Sequence, residues 1–143
     1  MSAIFWIISG IILITLYFLY AGVIMKKNKV KEASAGIDVQ LKKRYDLIPN
    51  LLNMAAKFMA HESKLMEEIT KLRTAAMANS FKDNPQEKIK NEKLLESKLK
   101  EFNLSVENYP DLKSNQTMMT AMQSMNEVEE HIAAARRFYN AAV

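Results

Sequence analysis

The chain has two histidines, the side chains that most often serve as metal ligands or as acid–base groups near neutral pH. His61 starts the run HESKL, but the zinc-protease pattern H-E-x-x-H needs a second histidine where this chain has Leu65. His131 lies in EVEEHIAAA, and a di-iron bundle would need Glu three residues before each histidine, where Phe58 and Val128 stand. Neither metal-binding pattern is present.

A site built on carboxylates is the remaining chemical hypothesis. Its iron or zinc ligands would come from four glutamates and one histidine: Glu67, Glu68, Glu129, Glu130 and His131. These positions lack a recognised ligand spacing. The chain has no cysteine and only three glycines, which excludes thiolate chemistry and phosphate-cradling loops. We therefore expect a protein that is not an enzyme and that has no catalytic residue, cofactor or metal.

Polar residues interrupt an apolar helical stripe in the run LKKRYDLIPNLL, residues 41–52. On a 3.6-residue period Gln40, Lys43, Asp46 and Asn50 lie beside the stripe, while Arg44 drifts round the helix. Buried polar groups are costly unless they are paired, and when paired they mainly fix which helix faces meet. These residues therefore predict a packing feature and not an active site.

Pro49 leaves two interpretations open. As an internal helical residue it lacks the N–H that would bond to the Tyr45 carbonyl, which is then free to accept a side-chain donor from another helix. Arg136, Arg137 and Asn140 are the candidate donors. Alternatively, a helix starts here, with Asp46 near its N-cap and Pro49 in its first turn.

The candidate interaction residues are polar residues of the first and last predicted helical segments, together with the proline of the first segment. They are Asp38, Gln40, Arg44, Asp46, Pro49, Asn50, His61, Glu62, Arg136, Arg137 and Asn140.

The elements that position these residues are helical. Apolar residues recur mostly three or four apart from Val30 to Ala76 and again from Met118 to Tyr139. Between these segments a helix is predicted at roughly residues 86–108, with the apolar stripe Ile89, Leu94, Leu95, Leu99, Phe102, Leu104 and Val106. The polar cluster from Asn79 to Pro85 predicts a loop, and Pro85 can open the next helix because the first turn leaves its N–H groups unpaired anyway. Ser114 or Asn115 would cap the last helix. No stretch alternates with the period of a strand. The sequence thus predicts an all-α, antiparallel up-and-down bundle of three long helices, or four if the first breaks at Pro49.

Two further patterns favour ordinary helix surfaces. Between Lys82 and Lys100 the lysines alternate with Asp83, Glu87, Glu92 and Glu96, which predicts a solvated face and argues against a nucleic-acid partner. The methionines of the last helix, Met118, Met119, Met122 and Met125, have helical spacing and predict core packing.

The N-terminal run from Ile4 to Met25 has no charged residue. As a helix it would be roughly 33 Å long, enough for a bilayer core of about 30 Å, and it is too long for the apolar part of a signal peptide. We predict an uncleaved membrane anchor over residues 1–25. Trp6 should lie near one interface, and Tyr17 and Tyr20 towards the other.

Four lysines follow this run directly: Lys26, Lys27, Lys29 and Lys31. Without them the 20 basic and 16 acidic residues of the chain become 16 of each. Under the positive-inside rule they place the C-terminal domain in the cytoplasm, and a contact with anionic lipid would agree with that orientation. The predicted division is an anchor (1–25), a basic juxtamembrane segment (26–32) and a helical domain (33–143).

Four ordered motifs then resemble the LemA family. They are GIDVQLKKRYDLIPNL (36–51), AHE (60–62), YPDLK (109–113) and AAARRFYN (133–140), behind an N-terminal membrane helix. The resemblance implies a bacterial single-pass membrane protein with a helical-bundle domain and no assigned enzymatic activity. The link of some related proteins to building bacterial membrane compartments suggests a scaffold. Family members usually continue through a further helical turn and a Phe-Pro stretch, whereas this chain stops at Val143.

We therefore expect a homo-oligomeric scaffold in the bacterial inner membrane that organises the membrane or recruits partners. Its partners would be the bilayer through residues 4–25, copies of itself and other membrane proteins. Ser9-Gly10 and Ala21-Gly22 offer small-residue faces for helix association. The alternative is a monomeric adaptor that presents a helical groove or its Met-rich last helix to a membrane protease or another envelope protein.

Overall fold

The computed structural model describes residues 2–79, 81 and 84–143, and these residues are almost entirely helical. In chain order the elements are α1 (Ser2–Ala55), a 3₁₀ turn (Ala60–Glu62), α2 (Ser63–Ala78), α3 (Pro85–Val106), the one-turn α4 (Pro110–Lys113) and α5 (Gln116–Ala142). The described residues contain no strand, and the all-α prediction is confirmed. Ser80, Lys82 and Asp83 of the predicted loop lie outside the described residues.

The first helix does not break at its proline. α1 continues through Pro49 and ends at Ala55, so the interpretation of Pro49 as a helix boundary is wrong. The chain instead turns after Ala55, whose carbonyl accepts from both Phe58 N (2.9 Å) and Met59 N (2.8 Å). Met59 is fully buried. A shared carbonyl and a buried apolar side chain thus fix the turn that separates α1 from α2.

The chain forms two compact units. One unit is Leu41–Glu130, which contains the last part of α1, all of α2, α3 and α4, and the first part of α5; we call it the bundle. The other unit combines the residues up to Gln40 with His131–Val143; we call it the terminal unit.

Apolar residues at helical spacing form the core of the bundle, as predicted. Full burial of each Leu, Ile, Phe or Met side chain contributes about 1.5–3 kcal/mol to the free energy of unfolding. The buried positions include Leu41, Ile48, Leu52, Ala55, Leu65, Ile69, Leu95, Leu99, Phe102, Val106, Met118, Met125 and Val128. Met118 and Met125 confirm the core role of the methionines, whereas Met119 is 51% exposed. In the terminal unit, Ala33 and Ile132 are buried.

The buried face of α3 differs from the predicted one. Leu95, Leu99, Phe102 and Val106 are buried, but Ile89, Leu94 and Leu104 of the predicted stripe are exposed. The four buried residues are alternately four and three residues apart. The same spacing, extended towards the N-terminus of α3, reaches Glu92 and Lys88, which are 1% and 5% exposed. The prediction of a solvated face is therefore wrong for these two residues.

The apolar segment of α1 presents its large side chains outward. From Phe5 to Met25 these side chains are exposed, with Trp6 at 72% and Phe18 at 69%. The helix is long and apolar enough to cross a membrane. The four lysines that follow it, Lys26, Lys27, Lys29 and Lys31, are exposed as well.

Asparagine side chains cap the two helices that follow the loops. Asn84 Oδ1 accepts from Glu87 N at 3.3 Å, directly before Pro85 opens α3. Asn115 Oδ1 accepts from Thr117 N at 3.0 Å and from Met118 N at 3.1 Å. Of the two predicted caps of the last helix, Asn115 is the one the structure uses.

This cap gives a stability prediction. Asn115→Ala removes the acceptor for two otherwise unpaired N–H groups and should lower the free energy of unfolding by about 1 kcal/mol. Urea denaturation of the full-length protein in mild detergent, followed by circular dichroism, measures the change. Ser114→Ala is the matched control, because the Ser114 hydroxyl makes only a 3.3 Å bond at an exposed site. Equal destabilisation by both variants would contradict the cap assignment.

Candidate functional site

Charged side chains meet in the interior of the bundle. Arg44 is 0% exposed and Glu92 is 1% exposed, which is rare for such residues unless they are paired. Together with Tyr45, Lys88 and Glu129 they form what we call the buried network. Its members come from α1, α3 and α5 and are joined by hydrogen bonds between these helices.

Arg44 joins two other helices through one guanidinium group. Its Nη1 donates to Glu129 Oε1 of α5 at 2.9 Å, and its Nη2 donates to Glu92 Oε2 of α3. The planar, permanently charged fork of arginine suits this arrangement, because its donors point in fixed directions. Glu129 remains 31% exposed at its side chain, so the network reaches the surface on the α5 side.

Lys88 occupies the other side of Glu92. Its ammonium lies 3.1 Å from Glu92 Oε1, 2.7 Å from Tyr45 Oη and 2.6 Å from the carbonyl of Ala76. The ammonium thus donates hydrogen bonds to Tyr45 and Ala76 and forms an ion pair with Glu92. The Tyr45 hydroxyl donates in turn to Glu92 Oε1, and the Lys88 charge lies 5.0 Å from the centre of the Tyr45 ring.

Two backbone carbonyls without helical partners also receive side-chain donors here. Pro49 has no N–H for the Tyr45 carbonyl, which accepts instead from Arg73 Nε at 2.6 Å. Ala76 lies in the last turn of α2, where carbonyls have no intrahelical donor, and Lys88 supplies one.

Pro49 leaves the Tyr45 carbonyl free within helix α1, as predicted, but the donor is not one of the predicted residues. A side chain from another helix satisfies the freed carbonyl, as expected. That donor is Arg73 of α2, and not the predicted Arg136, Arg137 or Asn140 of the last helix.

The charges of the buried network balance, with Arg44 and Lys88 facing Glu92 and Glu129. Burying such charges is expensive, and their attraction offsets the cost only when geometry and hydrogen bonding are good. Within the described residues one buried donor, Arg44 Nε, has no hydrogen-bond partner. Chemically, this arrangement can hold three helices at one register, because every charged group is engaged by a neighbour.

The predicted interaction residues do not gather into one site. Arg44 alone is buried, and half-buried positions are Gln40, Pro49, Glu62 and Arg136. Exposed positions are Asp38, Asp46, Asn50, His61, Arg137 and Asn140. The polar residues beside the apolar stripe, Asp46 and Asn50, thus lie outside the buried network, whereas Arg44 is at its centre.

Four charged residues pack between helices without having been predicted to do so: Lys88, Glu92 and Glu129 of the buried network, and Arg73 beside it. The signal for two of them was present, because Lys88 and Glu92 continue the apolar spacing of Leu95, Leu99 and Phe102. A charged residue at a core position of a helical repeat predicts a buried partner of opposite charge.

The carboxylates of the metal hypothesis are engaged elsewhere. Lys71 lies 2.7 Å from Glu67 and Lys98 lies 2.8 Å from Glu68, and these hydrogen-bonded lysines lower the pKa of each carboxyl. Glu129 pairs with Arg44. In the described ranges, 2–79, 81 and 84–143, no three histidine or acidic side chains are grouped so that they could hold a metal ion.

An open groove of about 650 Å³ runs between the end of α1 and the start of α5. None of the described residues that line it is charged, although 25% of the residues of the chain are charged. The lining residues are Leu47, Asn50, Asn53, Met54, Gln116, Thr117, Thr120 and Ala121. The groove therefore presents amide and hydroxyl groups over an apolar floor.

Comparison with known proteins gives one family. The sequence profile described as the LemA family matches residues 33–143, which is most of the chain. No curated protein matches the chain.

The buried network makes a sharp stability prediction. Glu92→Gln keeps the size of the side chain but leaves Arg44 and Lys88 short of one negative charge. Because an uncompensated buried charge is strongly destabilising, we expect a loss of about 3–5 kcal/mol of unfolding free energy. Urea denaturation of the full-length protein measures it.

Glu67→Gln is the matched control for that experiment. It removes the same charge from the exposed pair with Lys71, where solvent screens the interaction, and should leave the urea midpoint almost unchanged. A Glu92→Gln variant as stable as this control would contradict the role of Glu92 in compensating the buried charges of Arg44 and Lys88.

Proposed function

The chain belongs to the LemA family, and we propose that it is a membrane-anchored helical scaffold that self-associates and either organises the bacterial cell membrane or recruits partners to it. In this proposal it catalyses no reaction.

The observation that carries the proposal is helix α1. One helix, Ser2–Ala55, contains both an apolar segment with outward-facing side chains and the first core stripe of the bundle. An exposed apolar surface that runs from Phe5 to Met25 is unfavourable in water and favourable in lipid. A bilayer around residues 5–25 would satisfy it, and α1 would then tether the bundle to the membrane.

The division of charge supports a specific orientation. Six of the 20 basic residues and two of the 16 acidic residues lie outside residues 41–130, which leaves 14 of each within the bundle. The whole excess of positive charge thus belongs to the terminal unit, beginning at Lys26. Such an excess next to an apolar helix favours the cytoplasmic side of the inner membrane.

The buried network supports a structural role for the bundle. Buried ion pairs contribute little net stability, but they oppose alternative packings in which one partner would be left alone. A bundle held in one arrangement presents the same surface on every copy, and an assembly of identical subunits needs such a surface.

Self-association is testable on the full-length protein. Light scattering in mild detergent, corrected for bound detergent, should give one discrete multiple of the 16.4 kDa chain mass. A monomer at every concentration would contradict the scaffold.

Orientation is testable because the chain contains no native cysteine. With a membrane-impermeant thiol reagent that enters the periplasm, Ser114→Cys in the bundle should be protected in intact cells and labelled after the cells are opened. Ala3→Cys, before the apolar segment, is the control and should be labelled in intact cells. The reverse pattern would place the bundle outside the cytoplasm.

The second candidate function is the monomeric adaptor, and the groove between α1 and α5 favours it. Its uncharged lining of amides, hydroxyls and apolar side chains would suit a segment of another membrane protein, such as a membrane protease. A monomer in the light-scattering experiment would support this candidate over the scaffold.

A further inference from the structure

The apolar segment of α1 has two chemically different faces. Successive residues of an α-helix are about 100° apart, so residues alternately four and three apart share one side. One such set spans only about 80° of arc. We call it the tyrosine seam: Trp6, Gly10, Leu13, Tyr17, Tyr20 and Ile24.

The opposite side of the segment is different. Phe5, Ile8, Ile12 and Leu19 lie there with one hydroxyl residue, Thr15. The Thr15 hydroxyl donates to the carbonyl of Ile11 at 2.8 Å, within its own helix. This face therefore meets lipid without an unsatisfied polar group.

The two tyrosines lie within the apolar run and not at its end. Tyr20 is five residues and Tyr17 eight residues before Met25, or about 7.5 Å and 12 Å along the helix. Tyr17 lies within about 4 Å of the middle of the Ile4 to Met25 run. Helical side chains also lean towards the helix N-terminus, which points these rings away from the lysines. A bilayer centred on this run would place Tyr17 nearer its middle than the interfacial position expected from the sequence.

A phenol at this depth needs a hydrogen-bond partner from outside its own helix. Hydrocarbon supplies no acceptor or donor, and leaving a hydroxyl unpaired there is costly. Unlike Thr15, tyrosine carries its hydroxyl at the far end of a ring and does not fold back onto the preceding turn. A second membrane-embedded chain can supply this partner.

We propose that the tyrosine seam packs against the same seam of a second copy of this chain inside the bilayer, with tyrosine hydroxyls hydrogen-bonded across the pair. This inference rests on the proposed self-association and names its membrane interface. A hydroxyl both donates and accepts, so two identical tyrosines can satisfy each other across a two-fold axis.

The spacing of the seam fits such a pair. An alternation of four and three gives the 3.5-residue repeat of helices that cross at about 20° in a left-handed pair. Gly10 lies in the seam, and a Cβ built on it has no neighbour within 4 Å. That position leaves room for close approach of a second helix.

The first test removes only the hydroxyls. In the full-length protein, Tyr17→Phe with Tyr20→Phe should weaken the pair on the order of tenfold, since each lost bond accounts for about threefold. Thr15→Val is the matched control, because its hydroxyl is already satisfied within the helix, and it should leave the pair unchanged. Dissociation is measured by energy transfer between labelled chains over a series of protein-to-lipid ratios. No weakening in the tyrosine variant would overturn the inference.

The second test reads which face is in contact, using single cysteines in a chain that otherwise has none. In membranes under oxidising conditions, Leu13→Cys in the seam should form a disulfide-linked dimer, and Leu19→Cys on the opposite face should not. Crosslinking through Leu19→Cys alone would keep self-association but overturn the seam.

The remaining outcomes separate this inference from the proposed function. No crosslink at either position together with a multimeric mass would place the association in the bundle, so the scaffold would stand and the seam would fail. No crosslink together with a monomeric mass would overturn both.

Discussion

A buried guanidinium group cannot be left without negative charge beside it, and Arg44 imposes this constraint on the bundle. Its two carboxylate partners come from α3 and α5, 48 and 85 residues further along the chain. Sliding any one of these helices by a turn would leave a charge alone in the interior, at a cost of several kcal/mol. Burial of the apolar stripes drives the helices to pack together. The ion pairs favour one position of each helix along its axis relative to its neighbours.

The backbone adds a second constraint of the same kind. Pro49 frees the Tyr45 carbonyl in the middle of α1, and the end of α2 frees the Ala76 carbonyl. Arg73 donates to the Tyr45 carbonyl and Lys88 donates to the Ala76 carbonyl. Each cationic side chain thus supplies a hydrogen bond that the helix containing the carbonyl cannot supply. The proline is tolerated within the helix because its lost bond is replaced. Tyr45, through its hydroxyl and its carbonyl, belongs to both arrangements.

Charge is handled differently in the two units of the chain. The bundle has equal numbers of acidic and basic residues and pairs several of them in its interior, whereas the terminal unit carries the excess of lysine and arginine next to an apolar helix. The first arrangement favours one defined packing, and the second favours attraction to a negatively charged surface. Both properties fit the proposed membrane scaffold, in which the interior specifies shape and the terminal unit specifies location.

The sequence by itself determined the features that depend on near neighbours. Helical periodicity predicted the helices, Asn115 and Pro85 predicted helix starts, and the uncharged run to Met25 predicted a helix able to cross a membrane. Each of these signals lies within a few residues of its effect. Only the tertiary structure revealed three further features. Helix α1 turns after Ala55 and not at Pro49, Arg73 donates to the carbonyl that Pro49 leaves free, and Lys88 and Glu92 face inward. The last two features depend on partners dozens of residues away, and local pattern carries no information about which distant side chain will lie beside a buried charge.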